Sequence, residues 1–354
     1  MAEAESLFRH ATENNPNYAQ AFMNLGLILA GAGKLPEAEK EIATSVRLAP
    51  EMPRALTSLG MVQARLGRPQ AAIENFRKVV TLDPKSPEAH VNLGIALADS
   101  FDLQGALAEF SEAVSLAPQG PAARYNKGRA LFDMKRYEEA IAELEEATRL
   151  APNYFEPYYL LGVAEKQLDN VTRSVEVLEK AVALDPKDSD AQYLLGQGLF
   201  KLGHPEKAIP RWKAAVQINP GHGEALYNLS RALKEKAPLE AQEYARRLVD
   251  LQKKRQVTDR TGTLSNFALV SAGARDYQQA VSQLQEAIAV CADCPRLGEL
   301  HKNLGLIFCR SGDIDRGADE LHTAQKLLPG DPDITKSLNI IQRLRLQAAV
   351  ETGQ

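Results

Sequence analysis

The chain has 354 residues, with 42 Lys and Arg against 46 Asp and Glu, for a formal net charge of −4. That near balance leaves no basic footprint for nucleic acid, and no stretch approaches the roughly 18 apolar residues of a membrane span. Three cysteines do not make a disulfide framework.

Residues 1–15 read as one helix, with Ala4, Leu7, Phe8 and Ala11 on a single face. It looks like the second half of a helical hairpin whose first helix is missing, so the chain is expected to be cut from a longer protein. A simple cap on the rest of the chain is the alternative. Beyond this helix, prolines recur every 34 residues, at Pro16, Pro50, Pro84, Pro118, Pro152, Pro186 and Pro220. A Leu-Gly pair keeps the same register at Leu25-Gly26, Leu59-Gly60, Leu93-Gly94, Leu161-Gly162 and Leu195-Gly196. Twelve residues after the Gly stands an Ala (Ala38, Ala72, Ala106, Ala140, Ala208). Four residues further comes a bulky residue (Ile42, Phe76, Phe110, Leu144, Leu178, Trp212). A period of about 34 is the signature of stacked helical hairpins. Small residues let the two helix axes approach while the bulky ones fill the space beside them.

Within each period, helix A runs to a turn and helix B ends before the proline. Gly33-Lys34-Leu35-Pro36, Gly67-Arg68-Pro69 and Gly203-His204-Pro205 place Gly after helix A and Pro at the start of helix B. Pro210 should kink the sixth helix B. The period breaks twice: about four residues are added around Lys253–Gly262, and three at Ala292–Cys294. The seventh repeat also has Ser230 in its Gly slot and begins helix B at Pro238. Residues 332–350 form a last amphipathic helix, with Ile334, Leu338, Ile341 and Leu344 toward the stack and Lys336, Arg343 and Arg345 toward water.

This pattern resembles the tetratricopeptide repeat (TPR) family over essentially the whole chain. The resemblance implies an all-α fold, a right-handed TPR superhelix built as an α-solenoid of antiparallel helix hairpins. The division expected is a half repeat at 1–18, nine repeats at 19–331, and a capping helix and tail at 332–354. The repeats run 19–52, 53–86, 87–120, 121–154, 155–188, 189–222, 223–260, 261–297 and 298–331. In the family, helix A lines a concave groove, with register positions 2, 5, 6, 9, 12 and 13 pointing into it. Position 6 carries Asn24, Ser58, Asn92, Asn126, Leu160, Leu194, Asn228, Asn266 and Asn303, and position 5 carries Tyr125, Tyr159, Tyr193 and Tyr227. Arg129 and Arg231 at position 9 and Phe132 and Phe200 at position 12 lie beside them. An Asn amide can pair with the backbone of an extended peptide whatever its side chains, and the Asn row resembles the TPR arm of the O-GlcNAc transferases. Tyrosines offer stiff, amphipathic contact area. The peptide-groove residues expected are Asn92, Tyr125, Asn126, Arg129, Tyr159, Tyr193, Tyr227, Asn228 and Arg231. Both rows also recur in generic TPR sequence as packing residues. The clamp that co-chaperones use on chaperone tails is missing: positions 5 are Met23, Thr57, Val91 and Tyr125, and positions 9 are Leu27, Met61, Ile95 and Arg129. Lys302, the one Lys at position 5, is matched by Leu306 rather than Asn.

Cys291-Ala-Asp-Cys294 is read first as an irregular inter-repeat loop. A local disulfide in an exported protein is the alternative, and a metal or redox site the remainder. His301 and Cys309 lie eight residues apart on one helix, roughly 12 Å in rise, too far to share a zinc ion with the pair. The basic run Arg246-Arg247, Lys253-Lys254-Arg255 and Arg260 is read as a solvated face rather than a patch for an acidic partner. The six histidines show no pairing at metal or triad spacing, and no phosphate loop or nucleophile elbow occurs. The expectation is a non-enzymatic protein-interaction module without cofactor. It should bind a protein or peptide, and neither nucleic acid nor a membrane interior. Its location is cytoplasmic by default, or exported if Cys291 and Cys294 are bonded. A self-assembling scaffold forming homo-oligomers, or the substrate-recognition arm of a larger glycosyltransferase-like enzyme, are the alternatives.

Overall fold

The computed structural model of the chain describes residues 2–351 and holds nineteen helices and no strand among them. They fall into two compact units that divide between His222 and Gly223.

The first unit opens with α1 (Ala2–Asn14) and continues as six hairpins. These are α2 (Ala19–Gly31) with α3 (Leu35–Leu48), α4 (Pro53–Arg65) with α5 (Pro69–Leu82), and α6 (Pro87–Asp99) with α7 (Leu103–Leu116). Then come α8 (Pro121–Asp133) with α9 (Tyr137–Leu150), α10 (Phe155–Gln167) with α11 (Val171–Leu184), and α12 (Ser189–Lys201) with α13 (Pro205–Ile218). Each hairpin closes where the sequence has no side chain to spare. A Cβ on Gly162 would lie 2.6 Å from Leu178, and one on Gly196 2.6 Å from the Trp212 ring. Ala38, Ala72, Ala106, Ala140 and Ala208 are fully buried at the same crossing. Burying the bulky partner of each crossing contributes roughly 1.5–3 kcal/mol.

Helix A of one repeat packs on the hairpin before it. Leu59 and Val62 join the cluster of Leu25, Leu29 and Ile42, while Leu93, Ala96 and Leu97 join Ala72, Ile73 and Phe76. In all six hairpins of this unit the fifteenth residue of the repeat, in the turn between A and B, sits at positive φ. Gly33, Gly67 and Gly203 take that conformation readily. Phe101, Lys135 and Asp169 take it with a side chain attached. Around Phe101 the turn is sealed by hydrogen bonds from the amides of Phe101 to the Ala98 carbonyl and of Asp102 to the Leu97 carbonyl, both 2.9 Å. Asp102 then caps α7, accepting from the Gly105 amide at 2.9 Å.

A second periodic device sits at register position 4. His90, Arg124 and Gln192 each reach back to the carbonyl of the preceding inter-repeat proline, Pro84, Pro118 and Pro186, at 3.0–3.1 Å. The same side chains meet position 23 of their own helix B. His90 bonds Glu109 at 2.7 Å, Arg124 bonds Glu143 at 2.9 Å, and Gln192 accepts from Arg211 at 3.5 Å.

One expectation fails at the margin, the placing of Leu344 toward the stack. Leu7 is 65% exposed and Leu344 48% exposed, although Phe8 packs on the α2–α3 cluster and Ile334 and Ile341 are buried. A helix that touches one neighbour buries a narrow stripe, and both leucines sit at its edge. The sixth helix B runs unbroken through Pro210.

The second unit holds α14 (Gly223–Ala232), α15 (Pro238–Gly273), α16 (Tyr277–Cys291), α17 (Leu297–Ser311), α18 (Ile314–Leu327) and α19 (Pro332–Glu351). The helices expected on either side of residue 260 are one helix, α15, of 36 residues. The proline series would next fall at residue 254, where Lys254 stands, and no Gly or Pro occurs between Pro238 and Gly262. Nothing stops the helix, so it continues. Its last third still behaves as helix A of the eighth repeat: Ala268 and Ala272 pack with Ala280, Leu284 and Ala287 of α16 and with Leu304, Ile307 and Phe308 of α17. Cys291 and Cys294 are disulfide-bonded, with Cα atoms 5.0 Å apart, which corrects the reading of a plain irregular loop. The helix B of the eighth repeat ends in a turn tight enough to bring its last residue back on the third one beyond it.

Candidate functional site

In the first unit, consecutive A helices touch one another, α2 on α4, α4 on α6, α6 on α8 and α8 on α10, whereas the B helices show no comparable pairing. The A row is therefore the inner side of that unit, and it carries the register positions expected to face a ligand.

At the first three repeats position 9 of the inner row is apolar. Position 9 presents Leu27 at 42% and Met61 at 52% exposure, followed by half-buried Ile95. Side chains repeating every 34 residues along touching helices make one continuous stripe. Beside it lies a cleft of about 270 Å³ whose walls include Met23, Leu27, Arg54, Ser58, Asp83 and Asn92. Its lining mixes apolar Met23, Leu27 and Val79 with polar Arg54, Thr57, Ser58 and Asn92 from three successive repeats. The signal was present in the sequence as three apolar residues at the slot where a chaperone clamp needs Asn. There it served only to exclude that clamp.

At repeats 4 to 6 the row becomes aromatic. Tyr125 meets Tyr154 edge-on with centroids 5.5 Å apart, Tyr159 stacks on Phe155 at 5.8 Å, and Tyr193 tilts against His222 at 4.7 Å. Burial pushes the Tyr125 and Tyr159 hydroxyls above the usual phenol range; Arg129 opposes this at Tyr125, and Asp190 reinforces it at Tyr159. The Tyr193 hydroxyl accepts from Gln197 at 3.3 Å. All three residues are half-buried. Arg129 also attracts Asp133, whose carboxyl is raised by burial. The asparagines differ among themselves. Asn126 is buried and donates its amide to the Ala122 carbonyl of its own helix at 2.8 Å. Asn92 is half-buried at the cleft wall.

The remaining expected residues lie in the second unit. Tyr227 is 47% exposed, and its hydroxyl accepts from exposed Arg231 at 2.9 Å. Asn228 is half-buried beside them on α14. The basic run divides: Arg246 pairs with Glu243 and Arg260 with Glu286, while Lys253, Lys254 and Arg255 are exposed. Cys309, the free thiol, is half-buried, and burial together with Asp313 raises its pKa. Among the described residues no group of three His, Cys, Asp or Glu is placed to hold a metal ion, and no helix is long and apolar enough to cross a membrane.

A tetratricopeptide repeat profile matches residues 2–53, 31–87, 57–121 and 193–255, which together exceed half of the chain. Related profiles described as TPR repeat and tetratricopeptide repeat match 128–169 and 155–188. A profile of anaphase-promoting complex subunit 5 matches 232–294. No curated protein matches the sequence. Among solved structures, Pseudomonas aeruginosa pilF is 18% identical, covers 60% of this chain and 97% of its own, and superposes with a TM-score of 0.54. The C-terminal part of a TPR repeat-containing protein from Cytophaga hutchinsonii is 18% identical, covering 64% of this chain and 94% of its own at a TM-score of 0.51. MamA from Desulfovibrio magneticus is 26% identical over 48% of this chain and 96% of its own, at a TM-score of 0.44.

Proposed function

This chain belongs to the tetratricopeptide repeat family, and from that premise we propose that the inner row of its first unit holds an extended peptide or a partner helix without carrying out a reaction on it. The observation that carries this reading is the stripe of Leu27, Met61 and Ile95 beside the polar cleft. A stripe of matched apolar residues, exposed at successive repeats and flanked by donors and acceptors, suits a ligand that offers an apolar side chain at intervals and a backbone between them. The half-exposed tyrosines continue the surface with rigid contact area, and because the row is already packed, binding costs mainly the ordering of the ligand. Asn92 would pair with ligand backbone in the manner of the O-GlcNAc transferase arm. Asn126 contributes less, since its amide is engaged on its own helix.

The test is a peptide array probed with the full chain, a Met61→Asp variant and a Tyr159→Ala/Tyr193→Ala variant. Each variant should lose the peptides that the parent selects while keeping its helical circular dichroism. Loss in the Met61 variant alone would confine the site to the first three repeats, and retention of every peptide by both would remove the inner row as the binding surface.

A further inference from the structure

The inner row changes character at one register position. Position 9 carries Leu27, Met61 and Ile95 in the first three repeats and Arg129 in the fourth. Their helices touch in series, α2 on α4, α4 on α6 and α6 on α8, and equal register gives all four side chains the same helical phase. They therefore stand on one line. The line does not stop at Arg129, since Val163 takes the position on α10, which touches α8.

The fourth repeat holds four arginines, and three are spent within the fold: Arg124 pairs with Glu143, Arg136 with Glu139 and Arg149 with Glu146. Arg129 is half-buried, and among the described residues no carboxylate lies within ion-pair distance of it. Its neighbours are phenols. A hydrogen bond and its charge act on the Tyr125 hydroxyl one turn back, and its charge also reaches Tyr154, which meets Tyr125 edge-on. Two carboxylates act in this surrounding from outside that distance, Asp133 one turn on and Glu156 on α10, both exposed. Phenols orient a guanidinium without neutralising it, so its fork stays open to an oxyanion brought by a ligand.

We propose that an extended peptide in the inner row sets an acidic side chain on Arg129 after apolar side chains on Leu27, Met61 and Ile95. This rests on the reading of the inner row as a peptide groove and names the class of peptide. Packed helix axes stand roughly 10 Å apart and extended chain advances about 3.3 Å per residue, so one repeat matches about three residues. The ligand pattern is three apolar residues and then Asp or Glu, each step separated by two other residues. The acid is a side chain rather than a chain terminus because the line continues to Val163, and the ligand passes on.

The test titrates end-blocked peptides against the full chain by fluorescence anisotropy. They carry Leu at the three apolar steps, Glu, Gln or Lys at the fourth, and Gly and Ser between and beyond, in both chain directions. In one direction the Glu peptide should bind about fivefold or more tighter than the Gln peptide, with Lys weakest, and the gap should shrink as salt rises. Arg129→Gln should equalise Glu and Gln without weakening the Gln peptide, Arg129→Glu should favour Lys, and Asp133→Asn should widen the preference for Glu. Circular dichroism and melting check the variants, while the ranking by the parent chain needs no substitution at all. Leucine peptides bound without regard to the fourth residue, a preference that survives Arg129→Gln, or tighter binding at another leucine spacing overturns the proposal and leaves the groove standing. So does a preference seen only when the acid is a free chain terminus, which would put a terminal carboxylate on Arg129. No binding by any series removes the groove and the proposal together.

Discussion

His90 stands between two acceptors: its Nδ1 lies 2.7 Å from a Glu109 carboxylate oxygen and its Nε2 3.1 Å from the Pro84 carbonyl. A carbonyl and a carboxylate both ask for a donor, and imidazole supplies two only when protonated. One side chain thus ties the inter-repeat turn before the third repeat to the helix B that closes it.

The first prediction comes from that geometry. Burial opposes the charge on His90, but the hydrogen bonds it donates to Glu109 and Pro84, with Glu112 nearby, outweigh it, so its folded pKa lies above the ordinary value. Below about pH 6.5 both folded and unfolded chains carry the proton, and its stabilising contribution is complete. As pH rises through the folded pKa that contribution is lost. Denaturant midpoints of the parent and His90→Gln should differ most on the acidic side and converge as the folded pKa is passed. A gap that widens with rising pH would show a neutral ring.

Phe101 is 91% exposed and sits at φ 65°, in the turn slot that Gly33, Gly67 and Gly203 fill elsewhere. A bulky residue in the left-handed region costs about 1–2 kcal/mol, partly offset by the freedom a glycine adds to the unfolded chain. Phe101→Gly should therefore raise stability by about 1 kcal/mol. A lower melting temperature would mean that the ring is held by contacts worth more than the turn.

Gly162 and Gly31 make a matched pair. Gly162→Ala would press a methyl to 2.6 Å from Leu178, whereas a methyl on Gly31 would enter open space. The first change should cost about 1–3 kcal/mol by overpacking the hairpin. Gly31→Ala, in a helix end with open space, should be neutral or stabilising by a few tenths of a kcal/mol. Equal midpoints for the two variants would remove close approach as the reason for the recurring glycine.

The disulfide closes a very short loop, and the entropic account gives such a bond no more than about 2 kcal/mol. Cys291→Ser/Cys294→Ser should lower stability by that amount or less, leaving the helical content intact. Thiol titration of the oxidised, denatured chain should count one thiol, Cys309, and three after reduction. Three thiols before reduction would show the pair open.

The hairpins of the first unit were legible because a 34-residue period survives in residues that cannot be exchanged without a clash: Gly162 against Leu178, Gly196 against Trp212. The turns were half legible. Glycines announced three of them, but Phe101, Lys135 and Asp169 adopt the same backbone without announcing it, since the Schellman hydrogen bonds need only the main chain. The fusion in α15 escaped because four added residues look alike whether they loop out or extend a helix; the deciding fact is that Lys254 replaces a proline. At the candidate site, periodicity drew attention to the tyrosines, which are half spent on packing. Leu27 and Met61 were less conspicuous, because exposure cannot be read from an apolar residue in an apolar repeat.

Most links between repeats contain slack: a residue inserted near Pro84 or Pro118 can be taken up by the turn. Along residues 252–260 of α15 there is no slack. One inserted residue would advance everything downstream by about 1.5 Å and rotate it by about 100°, carrying Phe267 and Val270 away from Lys253 and setting the eighth repeat at a new angle to α14. Seven inserted residues would nearly restore the phase. Tolerance to insertion should therefore be periodic here and nearly flat at the proline turns, so that this segment of the chain acts as a gauge whose length is counted in helical turns.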